Sequence, residues 1–214
     1  MLDLRVSLGS ACGVLLTTPG AGKWYGSAGV TASQSLSFEV GAGAVLEWLP
    51  QETIVFNSAR AEMATTVQLQ DGAVYLGWEI LCLGRAARGE RFAKGRVRLS
   101  SEIFQGDRRL WIERGLFEGG DPLLESPVGL AGRTVSATLI AAGRDIADGA
   151  LAECRKIPAG EHALGGVTRL PKLAIARYLG DSGEQARSYF ALLWAVLRPV
   201  LKGCAAAAPR IWAT

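Results

Sequence analysis

The chain has 214 residues with a net charge of +3; 49% of the residues are hydrophobic and 20% are charged. This length and composition suit one soluble globular domain with a well-buried core. The basic residues form neither a run nor one face of a helix, and no apolar segment is long enough to cross a bilayer, so the sequence predicts no nucleic-acid partner and no membrane span.

The first third of the chain repeats one pattern three times. Around Leu4, Leu36 and Thr65, which are 32 and 29 residues apart, apolar and polar residues alternate, a glycine turn follows, and an apolar strand returns. We interpret each block as a β-hairpin. One face of the outgoing strand is exposed to solvent, and both faces of the return strand are buried. The first strand, Leu2–Leu8, then lies at an open edge of the stack unless something covers it.

The rest of the chain predicts a further strand pair, two single strands and two helices. The pair covers residues 96–104 and 108–117, the single strands 133–141 and 173–179, and the helices 145–156 and 184–198. Ser182 and Gln185 form a capping box before the last helix, and Pro199 limits its length. The predicted fold is one mainly β domain over 1–214, with stacked hairpins in a β-sandwich or β-helix-like coil and two helices near the C-terminus.

The cysteines and the histidine of the sequence do not predict a metal, redox or catalytic site. The four cysteines are Cys12, Cys82, Cys154 and Cys204. None belongs to a CxxC pair, which argues against a structural zinc site or a redox dithiol and favours the reducing cytosol. Met1 leads directly into an alternating strand rather than a signal peptide, so we expect a cytoplasmic protein. The single histidine, His162, lies in a glycine-rich segment and is interpreted as a surface loop residue.

The segment GAGK at residues 20–23 has a superficial likeness to a phosphate-binding loop. A phosphate loop needs two glycines at wider spacing and Ser or Thr after the lysine, whereas Trp24 follows Lys23 here. We interpret the segment as a turn between strands.

Three glutamates in apolar surroundings are the candidate functional residues. Glu47 lies in VLEWLPQETIVF, Glu79 in AVYLGWEILCLGR and Glu113 in LWIERGL. A buried carboxylate without a partner is costly, so each needs a cation, a metal or water beside it. On a strand, Glu79 shares its face with Tyr75 and Gly77.

Three interpretations of these glutamates are open. In the first, each forms a salt bridge with an arginine such as Arg85, Arg91 or Arg114. In the second, several of them line a hydrated internal path along which a weakly held divalent cation passes. In the third, Glu47 and Glu79 form the acid pair of a hydrolase or ligand-binding site.

Six segments together resemble one known family, the urease accessory protein UreD, called UreH in some species. In chain order they are LLTTPGAGKWY (15–25), LEWLPQETIVF (46–56), GWEILCLGR (77–85), LWIER (110–114), TRLPKLAIARYLG (168–180) and PRIWAT (209–214). The resemblance runs from the first strand to the last residue, and its specificity lies in the combination and order of the six segments.

The resemblance implies a non-catalytic maturation chaperone that binds the urease apoprotein and UreF, which recruits the GTPase UreG. It implies a mainly β fold with two helices and transient passage of nickel through a water-filled tunnel, with no permanently bound cofactor. Glu47, Glu79 and Glu113 become candidate tunnel-lining residues. Arg210 and Trp212, in the last family segment, become candidate partner-binding residues, together with the C-terminal helix.

The chain also departs from the family it resembles. Relatives carry further strands upstream, including a glycine-rich stretch resembling GGIVGGD ahead of the strand Leu2–Leu8. We therefore expect either an N-terminally shortened protein or a misplaced start codon.

Overall fold

The structure is a computed structural model and describes residues 1–213, which form thirteen strands and three α-helices. The strands are β1 (Leu2–Leu8), β2 (Gly13–Leu16), β3 (Gly22–Trp24), β4 (Ala32–Val40), β5 (Val45–Trp48), β6 (Thr53–Val55), β7 (Arg60–Leu69), β8 (Val74–Leu83), β9 (Arg96–Gln105), β10 (Arg108–Glu118), β11 (Val135–Ala142), β12 (Leu164–Leu170) and β13 (Leu173–Gly180). The helices are α1 (Pro122–Glu125), α2 (Asp148–Lys156) and α3 (Gly183–Lys202), and short 3₁₀ turns occur at Ala86–Arg88 and Arg210–Ala213.

The strands form two facing sheets. The first sheet has the order β1-β4-β7-β9-β10 and the second β12-β13-β11-β8-β5-β2, while β6 pairs with both β3 and β8. The repeat sets the register, because Leu4, Leu36 and Thr65 are consecutive partners across β1, β4 and β7. The mainly β, coil-like fold expected from the repeat is confirmed.

The strand pairing inside the coil differs from the predicted hairpins. Each outgoing strand pairs in parallel with the outgoing strand of the next block, and β2, β5 and β8 likewise pair in parallel in the second sheet. Each glycine turn therefore carries the chain from one sheet to the other. Alternation indicates which face of a strand is buried, but not which neighbour supplies its hydrogen bonds.

The second half of the chain closes the structure with antiparallel pairing. The strand pair predicted around Gln105 is a true hairpin of β9 and β10, and β11, β13 and β12 complete the second sheet. The structure adds α1 and β12, in segments where the sequence predicts loops.

The last helix, α3, extends one turn beyond its predicted end. Ser182 Oγ accepts a hydrogen bond from the Gln185 amide, which is the N-cap half of the predicted capping box. The Gln185 side chain does not complete the box, because its Oε1 accepts a hydrogen bond from the Tyr178 hydroxyl. Pro199 lies inside the helix, which continues to Lys202 and ends at the left-handed Gly203. Because Pro199 falls near the end, its missing amide removes only one hydrogen bond of the last turns.

Apolar packing divides into three clusters of buried side chains. A helix-side core lies between the second sheet and α3 and includes Leu76, Trp78, Phe190 and Trp194. Two further clusters lie between the sheets, one around Phe38, Val67 and Ile103 and the other around Met63, Leu81 and Val97.

Candidate functional site

A layer of polar residues separates the two apolar clusters between the sheets. On the first sheet, Thr65, Ser101 and Glu113 are consecutive register partners across β7, β9 and β10. On the second sheet, Glu79, Thr138 and Arg177 are consecutive partners across β8, β11 and β13. Each residue occupies an inward position where its strand otherwise carries apolar side chains, so the layer runs across the strands.

Two hollows follow this layer. The larger has a volume of about 220 Å³ and extends from Glu79 and Glu113 to Leu2, Thr18 and Gln34 beside the β1 edge. The smaller, about 60 Å³, reaches Arg177 at the seam between β10 and β13. Both hollows are lined by Glu79, Ser101, Glu113 and Thr138. The larger has room for several water molecules. We call the polar layer together with these two adjoining hollows the polar passage.

Glu79 is the carboxylate at the centre of the passage. Within residues 1–213 no hydrogen bond or ion pair reaches it. Burial, with the neighbouring charge of Glu113, raises the pKa of Glu79 to about 7. Burial and the charge of Glu79 also raise the pKa of the Tyr75 hydroxyl, which lines the same hollow. Glu79 is therefore available for a cation or a proton.

Glu113, by contrast, has a cationic partner. Arg177 Nη1 lies 2.5 Å from Glu113 Oε1 and donates a second hydrogen bond of 2.5 Å to Thr138 Oγ1. The Arg177 guanidinium also lies 5.6 Å from the centre of the Trp111 ring. One arginine thus joins β13, β11 and β10 at the seam.

Glu47 lies on the other face of the second sheet, packed against α3. Its carboxylate accepts hydrogen bonds from Trp194 Nε1 (2.6 Å), Arg198 Nε (2.9 Å) and Lys202 Nζ (3.0 Å). Burial raises the pKa of Glu47, but hydrogen bonds from Arg198, Trp194 and Lys202 outweigh it and hold the pKa below the ordinary value. The salt-bridge interpretation holds for Glu47 and for Glu113, in each case with partners other than the arginines named from the sequence.

The structure thus brings together two of the three predicted tunnel residues, Glu79 and Glu113, and places Glu47 away from them. Because Glu47 and Glu79 face opposite sides of one sheet, they cannot flank a single bond, and the acid-pair interpretation is wrong. Within residues 1–213, no three His, Cys, Asp or Glu side chains come together as a metal site.

The two predicted partner-binding residues have different environments. Trp212 is half-buried, with ring centres 5.6 Å from both Trp78 and Trp194, and its Nε1 donates to Thr17 Oγ1 at 2.9 Å. Arg210 is exposed. Trp212 therefore anchors the C-terminal segment to the body of the protein, while Arg210 faces solvent.

Sequence reasoning missed the residues that complete the passage, chiefly Arg177, Thr138 and Ser101. The available signal was a polar side chain at an inward position of each alternating strand. His162 is exposed as predicted, with a backbone φ of 61°. The GAGK segment is not simply a turn, because Gly22–Trp24 forms β3 and pairs with β6.

The fold and the passage define a class: a mainly β, coil-like scaffold crossed by an internal row of polar side chains. No helix within residues 1–213 is both long and apolar enough to cross a membrane. The family model described as UreD urease accessory protein matches residues 1–213.

Curated relatives agree with the family model. A protein named Urease accessory protein UreD from Dechloromonas aromatica (strain RCB) is 52% identical, and the match covers 100% of this chain and 75% of the relative. Proteins of the same name from Azoarcus sp. (strain BH72) and Pseudomonas aeruginosa are 48% and 46% identical, again over 100% of this chain and over 74% and 75% of the relatives. The chain belongs to the UreD urease accessory protein family, and its role lies in urease maturation.

Proposed function

We propose that this chain is a cytoplasmic, non-catalytic chaperone that binds the urease apoprotein, UreF and, through UreF, UreG, and that it passes nickel to the enzyme along its polar passage. The polar layer around Glu79 carries the nickel part of the proposal. Apolar residues would fill these inward positions more favourably if the sandwich only had to be stable. Family membership supports the setting in urease maturation.

The donor set of the passage suits a cation in transit. Carboxylate and hydroxyl oxygens bind divalent cations, and one free carboxylate with one paired carboxylate binds them weakly. With a pKa of about 7, Glu79 is partly protonated at neutral pH and releases its proton when a cation arrives. Weak binding favours passage over retention.

Urease activation in cells tests the nickel role. The chain is supplied as the sole UreD beside the urease structural and other accessory genes, and the nickel content of the purified urease is measured by mass spectrometry. We expect Glu79→Gln to lower nickel content and activity several-fold, because Gln keeps the shape but not the charge. Glu118→Gln is the matched control, since Glu118 lies on β10 and pairs with Arg96 outside both hollows.

The outcome that would overturn the nickel role is full nickel content with a folded, normally abundant Glu79→Gln chain. Loss of nickel with both Glu79→Gln and Glu118→Gln would point instead to a general defect in assembly.

For UreF we propose the surface formed by the outer face of α3 and Arg210. Leu192, on this face, is 53% exposed, and Val200 follows two turns later on the same helix, also exposed. We expect Leu192→Glu and Arg210→Glu to weaken co-purification of UreF without changing thermal unfolding. Deleting residues 209–214 is less informative, because it also removes the anchoring ring of Trp212. Unchanged UreF binding by both variants would contradict this surface.

A further inference from the structure

Arg177 occupies the seam end of the polar passage. It extends from β13 of the second sheet to Glu113 on β10 of the first sheet. Among the residues that line the two hollows in the described part of the chain, Arg177 is the one lysine or arginine. A cation that moves from Glu79 towards the seam therefore meets the positive charge of Arg177.

The same residue controls the charge of the passage. While Arg177 holds Glu113, the pair is neutral as a unit, and Glu79 is the remaining carboxylate. If Arg177 turns away, Glu79 and Glu113 both face the hollow that they share with Thr138. Two carboxylates on one hollow attract a divalent cation much more strongly than one carboxylate beside a guanidinium.

The side chain of Arg177 is placed so that such a movement is feasible. It is 47% exposed, and its two hydrogen bonds go to side chains, not to backbone. A half-exposed ion pair contributes little to stability, about 0–1 kcal/mol. The arginine can therefore leave Glu113 for solvent without disrupting the sheets.

We propose that Arg177 is the electrostatic barrier of the passage: it keeps divalent cations weakly bound and bars the seam until it releases Glu113. This inference rests on the proposed nickel role. Arg177 is a positioning residue, since it acts through Glu113 and through its own charge.

Calorimetric titration of the untagged chain with nickel chloride at pH 7.5 tests the barrier directly. We expect Arg177→Met to bind nickel at least about tenfold more tightly than the wild-type chain, because it removes a positive charge beside the two carboxylates. Adding Glu79→Gln to Arg177→Met should return binding to the wild-type level. Arg177→Lys, which keeps the charge, should stay within about threefold of wild type.

Arg133→Met is the matched control. Arg133 forms a comparable pair with Asp181 at 2.6 Å but lines neither hollow, so its loss should leave nickel binding unchanged. Exposed sites such as Cys12, His162 and Cys204 are common to every variant, so they cancel in the comparison.

Two results would overturn the barrier: unchanged nickel binding by a folded Arg177→Met chain, or equal tightening by Arg177→Lys. The cellular assay separates this failure from that of the proposed function. If Glu79→Gln abolishes nickel delivery while Arg177→Met binds nickel as the wild-type chain does, the nickel role of the passage is supported and the barrier role of Arg177 is refuted. If the Glu79→Gln chain delivers nickel normally, the proposed nickel role itself is refuted.

Discussion

The two faces of the second sheet give a glutamate opposite surroundings. On the helix side, Glu47 is 1% exposed and receives hydrogen bonds from three side chains of α3. On the inter-sheet side, Glu79 has no such donor within residues 1–213 and borders a hollow. An acidic residue in an apolar strand therefore has no fixed role. The donors on the element packed against it decide whether it is structural or available.

The surroundings of each glutamate follow the same division. The helix-side core is one apolar cluster, within which the Glu47 group is enclosed. The inter-sheet interior is divided into two clusters by the polar layer. Apolar packing is thus continuous in the helix-side core, whereas in the interior of the sandwich it is interrupted by the polar passage.

The largest effect is expected from removing Glu47. Glu47→Ala leaves Arg198 and Lys202 partly buried without their carboxylate and Trp194 Nε1 without its acceptor. Breaking a buried ion pair from one side costs about 3–5 kcal/mol, so the urea midpoint should fall sharply at pH 7. A loss below about 1 kcal/mol, as for a surface pair, would contradict the structural role of Glu47.

Glu79→Gln should change the pH dependence of stability. The folded-state pKa of about 7 lies above the ordinary value of 4.5, so the folded chain holds the proton that the unfolded chain releases. Wild-type stability should therefore fall as pH rises from 4.5 to 7, by up to about 3 kcal/mol, and then level off. Urea unfolding at pH 5 and pH 8 checks this, since Glu79→Gln should remove that part of the difference. Identical pH profiles for the two chains would contradict it.

Glu47 should give stability the opposite dependence on pH. Because its folded-state pKa is lowered, its contribution is present above pH 4.5 and is lost as pH falls through the folded value. Acid unfolding of the Glu79→Gln chain should still show this loss.

A smaller loss is expected for Trp212→Ala. The change removes ring contacts with Trp78 and Trp194 and the hydrogen bond to Thr17. Because the ring is only half-buried, we expect a loss of about 2 kcal/mol by urea unfolding. An unchanged midpoint would mean that the C-terminal segment adds nothing to the helix-side core.

The smallest effect is expected where the passage meets the glycine of β8. A Cβ at Gly77 would overlap the Tyr75 hydroxyl, so Gly77→Ala must displace that ring, which lines the larger hollow. We expect a cost of about 1–2 kcal/mol by urea unfolding, together with reduced nickel delivery. Gly166→Ala on β12, where a Cβ meets nothing within 4 Å, is the control. Equal effects of the two changes would show that the overlap with Tyr75 is unimportant.

Alternation and spacing predicted much of the fold from local pattern alone. The repeat through Leu4, Leu36 and Thr65 is the register of three neighbouring strands. Ser182 is the N-cap of α3, as predicted. These predictions succeeded because a buried face and a helix start are local properties of the chain.

By itself, the sequence determined the coil of strands, the closing helix, the family and the presence of glutamates that need partners. Only the tertiary structure decided which side chains surround each glutamate, and therefore its role. Glu47 meets cations of α3 from about 150 positions further along the chain, and Glu79 meets Thr138 across a strand pair. A carboxylate takes its role from the charges and donors packed around it, and packing brings together residues whose separation along the chain leaves no local pattern.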